Sequence, residues 1–188
     1  MTPISVHIAE HIYSSVEVHW DRESSTVFCT VEYLPASAPN EPSLSEQLDK
    51  QFHIGEPHYV LTGGAFSMSL DSQKRIRNVD LYTNADRWRI GASPFLEAIP
   101  ATVHIDAAFD DNGRADDMGE PDISYEPEHG TLYLCWTEAA TWYAIAPGLA
   151  LGVTAECHFA QLRLDGLFMP TLEPLSLWKR FRQRIFRG

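Results

Sequence analysis

Positive charge is scarce in this sequence. Fourteen Lys and Arg face twenty-six Asp and Glu, a formal net charge of −12. Five of the cations (Lys179, Arg180, Arg182, Arg184 and Arg187) lie in the last ten residues. Residues 1–178 therefore keep nine (14 − 5) against all twenty-six acids. So acidic a body repels phosphates, which argues against nucleic acid as a partner, and it suits a partner that is itself basic. Long apolar runs are also missing, so no segment is expected to span a bilayer. His7, Glu10 and His11 interrupt the only N-terminal stretch that could serve as a signal peptide, and none is expected. Cysteine is rare. Cys29, Cys135 and Cys157 are odd in number and far apart, which argues against a disulfide framework and favours buried thiols in a reducing cytoplasm over a reactive or bridged pair.

Catalytic signatures are lacking too. There is no Gly-x-Ser-x-Gly, no phosphate loop and no dinucleotide fingerprint. Asp106 and Asp110 are spaced as paired carboxylates, but spacing by itself does not make an acid–base pair. His7, His104 and His11 would need further convergent ligands to hold zinc, since about four are required, so the first two read as strand histidines on a solvent face. The oxygen-rich loop 110–122 fails the EF-hand pattern. Counting back from Gly113 or Gly119 places Ala108 or Arg114 at the first ligand position. It reads as a solvated hairpin loop. No catalytic residue, metal or cofactor is assigned, and the reading leans away from an enzyme.

What the sequence does contain is an internal repeat. Pro3-Ile4-Ser5-Val6-His7-Ile8 returns as Pro100-Ala101-Thr102-Val103-His104-Ile105. Residues 18–28 return as 123–133, aligning Trp20-Asp21 with Tyr125-Glu126 and Thr26 with Thr131. Phe66-Ser67-Met68-Ser69-Leu70-Asp71 returns as Leu149-Ala150-Leu151-Gly152-Val153-Thr154. Apolar–polar alternation predicts strands over 3–10, 16–21, 25–33, 58–70 and 75–82 in the first copy. In the second it predicts 101–109, 122–126, 131–138, 142–153 and 158–165. Ile76 and Val79 break the two-residue period, as do Phe159 and Leu162, which predicts a β-bulge at the same place in each copy. Gly63-Gly64 and Pro147-Gly148 are read as matching strand breaks.

The expected fold is mainly β (α+β), with two pseudo-symmetric antiparallel β-units packed together as one globule. Unit A spans 1–83, a connection with a turn or short helix spans 84–99, and unit B spans 100–167. Ser43 and Glu46 form a capping box that predicts a short inserted helix to about Phe52. A C-terminal amphipathic basic helix is expected within 168–188.

Each unit resembles the YuzE-like family of small bacterial proteins of unknown function. The resemblance lies in Tyr125-Glu126-Pro127-Glu128-His129-Gly130-Thr131-Leu132-Tyr133 and Ala146-Pro147-Gly148-Leu149 of unit B, and in Trp20-Asp21 and Leu70-Asp71 of unit A. Lys74 and Cys157 stand where the family pattern has a glycine in the last turn. Asp80 matches its last-strand acid, where unit B has Arg163. The resemblance implies a fold type and a bacterial source, and no activity.

Candidate functional residues then fall in the parts that are not repeated. The acids Asp110, Asp111, Asp116, Asp117 and Glu120, and the tail residues Trp178, Lys179, Arg180, Phe181, Arg182 and Arg184, are candidates for partner binding. They support a non-enzymatic cytoplasmic protein that binds a basic protein partner, in the manner of an immunity protein or inhibitor. Two alternatives stay open. Trp20, Trp88, Trp136 and Trp142 could line a cleft between the units for a small ligand or carbohydrate. The aromatic–cationic tail could attach the protein peripherally to a membrane surface.

Overall fold

The computed structural model describes residues 3–34, 59–91, 97–116 and 118–168. The inserted-helix and C-terminal-helix expectations, and Asp117, lie outside the described residues. Strands account for nearly every element. In the first part of the chain they are β1 Ser5–Ala9, β2 Ser14–Asp21, β3 Thr26–Tyr33, β4 Tyr59–Gly63, β5 Phe66–Leu70 and β6 Ile76–Tyr82. A single 3-10 turn, Ala85–Arg87, follows, capped by the Asn84 side chain on the Asp86 amide. Then come β7 Arg89–Ile90, β8 Ile99–Pro100, β9 Thr102–Asp106, β10 Arg114–Ala115, β11 Asp122–Glu126, β12 Thr131–Cys135, β13 Thr141–Ala146, β14 Leu149–Val153 and β15 Phe159–Leu164.

The strands form a six-stranded sheet, β10-β4-β5-β6-β3-β2, a seven-stranded sheet, β7-β11-β12-β15-β14-β13-β8, and a two-stranded ladder, β1-β9. Of the five long strands in each large sheet, taken in chain order, the spatial order is third, fourth, fifth, second, first in both. All long-strand pairs are antiparallel.

Alternation explains which way each sheet faces. In β5, Phe66, Met68 and Leu70 are buried while Ser67 and Ser69 are half-buried on the other face. Val27, Cys29 and Val31 of β3 do the same, and Phe28 is exposed. β3 is thus an interior strand of its sheet, with one face on the core and the other exposed. These inward side chains join those of β12, β14 and β15 in one core that includes Leu132, Leu134, Leu151 and Leu162. Each fully buried Phe, Met or Leu contributes about 1.5–3 kcal/mol.

Both expected bulges are present. Arg77 is the extra residue between Asn78 opposite Ser69 and Ile76 opposite Leu70. Ala160 is the extra residue between Gln161 opposite Gly152 and Phe159 opposite Val153. One strand break is corrected. Gly63 belongs to β4 and pairs with Phe66, so the turn is Gly64-Ala65, opposite in sequence to Pro147-Gly148 between β13 and β14.

The two large sheets have four edges, and two-residue strands close three of them. β7 lies along β11, β8 along β13 and β10 along β4, each parallel. The fourth edge is β2, eight residues long, with no strand beside it among the described residues.

Candidate functional site

Acidic side chains open the hairpin turns, and their first task is structural. Asp21 accepts the Ser24 hydroxyl and the Glu23 amide, and these bonds, the Ser24 bond foremost, hold its carboxyl below the ordinary range. Glu126, which opens the turn between β11 and β12, is largely buried. It accepts the amides of Glu128 and His129 and the His129 ring at Nδ1, 2.8 Å away. Burial works against ionisation of Glu126, but those three bonds outweigh it and lower its pKa. The positions closing the two turns match as well. Ser25 at φ 54° and Gly130 at φ 64° are both left-handed.

The loop 110–122 differs from its expected form. Rather than standing free in solvent, it is tied onto the six-stranded sheet. Val60 donates its amide to the Gly113 carbonyl, Met118 donates to Thr62, and the Thr62 hydroxyl donates to Asp116. Met118 is fully buried. Asp110 caps its own turn by accepting the Arg114 and Asn112 amides, which lower its pKa. Asp111, Asp116 and Glu120 remain exposed. Asp106 is not paired with Asp110; its carboxylate meets the Lys74 ammonium.

The four candidate tryptophans occupy three separate places. Trp20 meets Trp88 edge-on at 5.3 Å, and Trp88 donates from Nε1 to Thr83. Trp136 sits between Phe66 and Phe159 and donates to the Gly119 carbonyl. Trp142 is buried against Tyr133 on the other face of the seven-stranded sheet. Trp88 alone of the four borders an open groove of about 870 Å³, where the end of β6, the 3-10 turn and β11 meet. Tyr82, Asn84, Arg87, Arg89 and Asp122 also line it.

His7 and His104 stand directly opposite one another in the β1–β9 ladder. His7 is exposed, and a His104 ring nitrogen lies 2.7 Å from the Gln73 carbonyl. Among the described residues, Glu126, Glu128 and His129 bring three potential metal-ligand atoms within 4.8 Å of one another. The Glu126 carboxylate is already engaged by the turn, so the group reads as a capped hairpin.

The tail candidates Trp178, Lys179, Arg180, Phe181, Arg182 and Arg184 lie outside the described residues. What sequence reasoning missed is the bare edge β2 and the acids around it. Glu17, Glu23 and Glu32 are exposed and Asp21 is half-exposed, with Arg22 the only Lys or Arg among residues 3–34. The signal was present as an acid-rich hairpin, but its meaning depends on which sheet edges are closed. No protein-family model matches the chain, and no curated protein matches it.

Proposed function

We propose that this protein is not an enzyme and acts by binding a basic protein partner, in an immunity-type or inhibitor-type role. The observation that carries the reading is the charge arrangement. Of the eight described Lys and Arg residues, Lys74, Arg75, Arg89 and Arg163 are engaged with Asp106, Asp71, Asp122 and Asp165 of the same body, and Arg22, Arg87 and Arg114 are exposed beside a larger set of exposed acids that includes Glu17, Glu23, Glu32, Asp111 and Glu120. An exposed acidic surface accelerates encounter with a basic partner, and salt screens that effect. Affinity capture from native lysate at two salt concentrations tests it. A basic protein retained at low salt, with an association rate that falls steeply with salt, is expected. Capture of no protein contradicts it.

The duplicated scaffold belongs to the same proposal, each half being a YuzE-like unit. Its supports are the common strand order of the two large sheets, the two bulges, and the acid-opened turns at Asp21 and Glu126.

A second reading places a small ligand or carbohydrate in the groove beside Trp88. The observation favouring it is that residues from unit A, the connection and unit B all line that groove. Saturation-transfer NMR with a panel of oligosaccharides, compared between wild type and Arg87→Ala, tests it. Transfer lost in the variant supports the reading, and transfer absent from both contradicts it.

A further inference from the structure

We propose that the open edge of β2 is the docking site, and that it takes an extended segment in which cationic and apolar residues alternate, added as a further strand of the six-stranded sheet. The inference rests on the reading of this protein as a binder of a basic partner, and it specifies where and how that partner binds.

The first ground is topology. Native proteins close or blunt the edges of their sheets, because a bare edge presents unpaired N–H and C=O groups to any extended chain. Of the four edges of the two large sheets, β7, β8 and β10 each cover two residues of one, and the edge with no strand beside it among the described residues belongs to the eight-residue β2. Its counterpart β11 carries the parallel pairing Ser124–Arg89 and Tyr125–Ile90.

The second ground is hydrogen-bond parity. Leu34 donates its amide to Tyr13, so Tyr13 and Leu34 are a hydrogen-bonded pair in the register that continues as Ser14–Tyr33. Antiparallel pairs alternate, so Ser15, Glu17, His19 and Asp21 bond to β3. Ser14, Val16, Val18 and Trp20 then turn their amides and carbonyls outward. The Ser14 hydroxyl donates to the Ile145 carbonyl, which sets the start of β2 against β13; beyond it the outward groups of Val16, Val18 and Trp20 flank Glu17 and His19 with no described strand beside them.

The third ground fixes the occupant's chemistry. On one face the edge shows Glu17, with Glu32 diagonal to it, and His19. On the other face Val18 and Trp20 are half-buried at the margin of the core. An added strand sets its side chains about 5 Å from theirs, alternating between the two faces. Cationic residues every second position would meet Glu17, and apolar residues between them would cover Val18 and Trp20. A second copy of β2 would instead bring Glu17 against another acidic strand, and like charges directly opposite are unfavourable.

The test uses the full chain and a short synthetic peptide alternating lysine and valine, read by fluorescence anisotropy, with amide exchange followed residue by residue. A backbone N-methylated version of the peptide keeps the charge and cannot pair. Val18→Pro removes an outward N–H without removing a ladder bond. The expected result is binding that slows exchange at Val18 and Trp20. Loss of one or two net backbone hydrogen bonds weakens it about tenfold, either on N-methylation or in V18P. If V18P fails to fold, the N-methylated peptide on unaltered protein still decides. Equal binding of both peptides overturns strand addition and leaves the basic-partner reading standing, whereas binding of neither overturns both. Arg180, Arg182 and Arg184 alternate with Phe181, Gln183 and Ile185 in this chain's own tail. Protein ending at Phe168 that binds the peptide tenfold more tightly, or a dimer that V18P dissolves, would assign the edge to the tail or to a second copy and overturn the proposal.

Discussion

Val6 and Ile105 face one another across the β1–β9 ladder, and each donates its amide into a turn of the other half of the chain. Val6 donates to the Cys157 carbonyl at 2.9 Å, and Ile105 to the Lys74 carbonyl at 2.8 Å. Those two turns are built alike. Lys74 and Cys157 both hold left-handed backbones, φ 62° and 59°. Asp71 accepts the amides of Gln73 and Arg75, and Thr154 those of Glu156 and His158. The short ladder is therefore anchored at both sides by turns of the larger sheets.

A left-handed residue with a Cβ costs about 1–2 kcal/mol, and glycine escapes that cost while losing about 0.5–1 kcal/mol through chain entropy. Cys157→Gly should therefore raise stability by about 0.5–1 kcal/mol, and Cys157→Ala should not. Urea unfolding of the two variants checks this.

Gly63 of β4 packs directly against Gly119 of the acidic loop. A Cβ on Gly63 would lie 2.1 Å from the Gly119 carbonyl oxygen. Gly63→Ala should cost about 1–3 kcal/mol as overpacking and should loosen the loop, seen as faster exchange at the Met118 amide. Gly91→Ala meets no atom of the described residues within 4 Å and serves as the neutral control.

The three thiols should separate cleanly. Cys157 is exposed, Cys135 is partly covered with its pKa raised by burial, and Cys29 is buried with its pKa pushed up to about 12 by burial. Only the thiolate reacts, so a disulfide reagent should label Cys157 first, Cys135 more slowly, and Cys29 only on unfolding. Mass spectrometry of timed samples reads the order.

The Glu126–His129 pair gives a pH dependence of defined sign. The hydrogen bond to Glu126, then its charge, raises the His129 pKa above its usual 6.5, while the Glu126 pKa lies below its usual 4.5. The contribution of Glu126 is present above pH 4.5 and is lost as pH falls through its lowered folded value. That of His129 is present below pH 6.5 and is lost as pH rises through its raised folded value. Both act fully between those two limits. His129→Gln should abolish the decline on the alkaline side, measured as unfolding free energy across a pH series.

The long strands were legible because β5 and β3 bury alternate residues, and the bulges were legible because Ile76–Val79 and Phe159–Leu162 break that alternation. The acid-opened turns at Asp21 and Glu126 could be aligned for the same local reason, since an acid bonds amides two and three residues ahead. β7, β8 and β10 were not legible. Two residues carry no period, and each exists only because a distant strand offers an edge. The docking of the acidic loop onto β4 was not legible on the same ground. Its charges favour solvent, but the burial of Met118 and the bond from Val60 to Gly113 follow from tertiary pairing. The candidate edge inherits that limit, because an acid-rich strand becomes a docking site only when its neighbours leave it bare.

Amide hydrogen exchange of the free, full-length protein tests the central claim most directly. The account predicts fast exchange at Val18 and Trp20 beside protected amides at Glu17, His19 and Asp21, a strict alternation along one strand. Uniform protection from Glu17 to Asp21 would mean that the edge is already occupied and would contradict it.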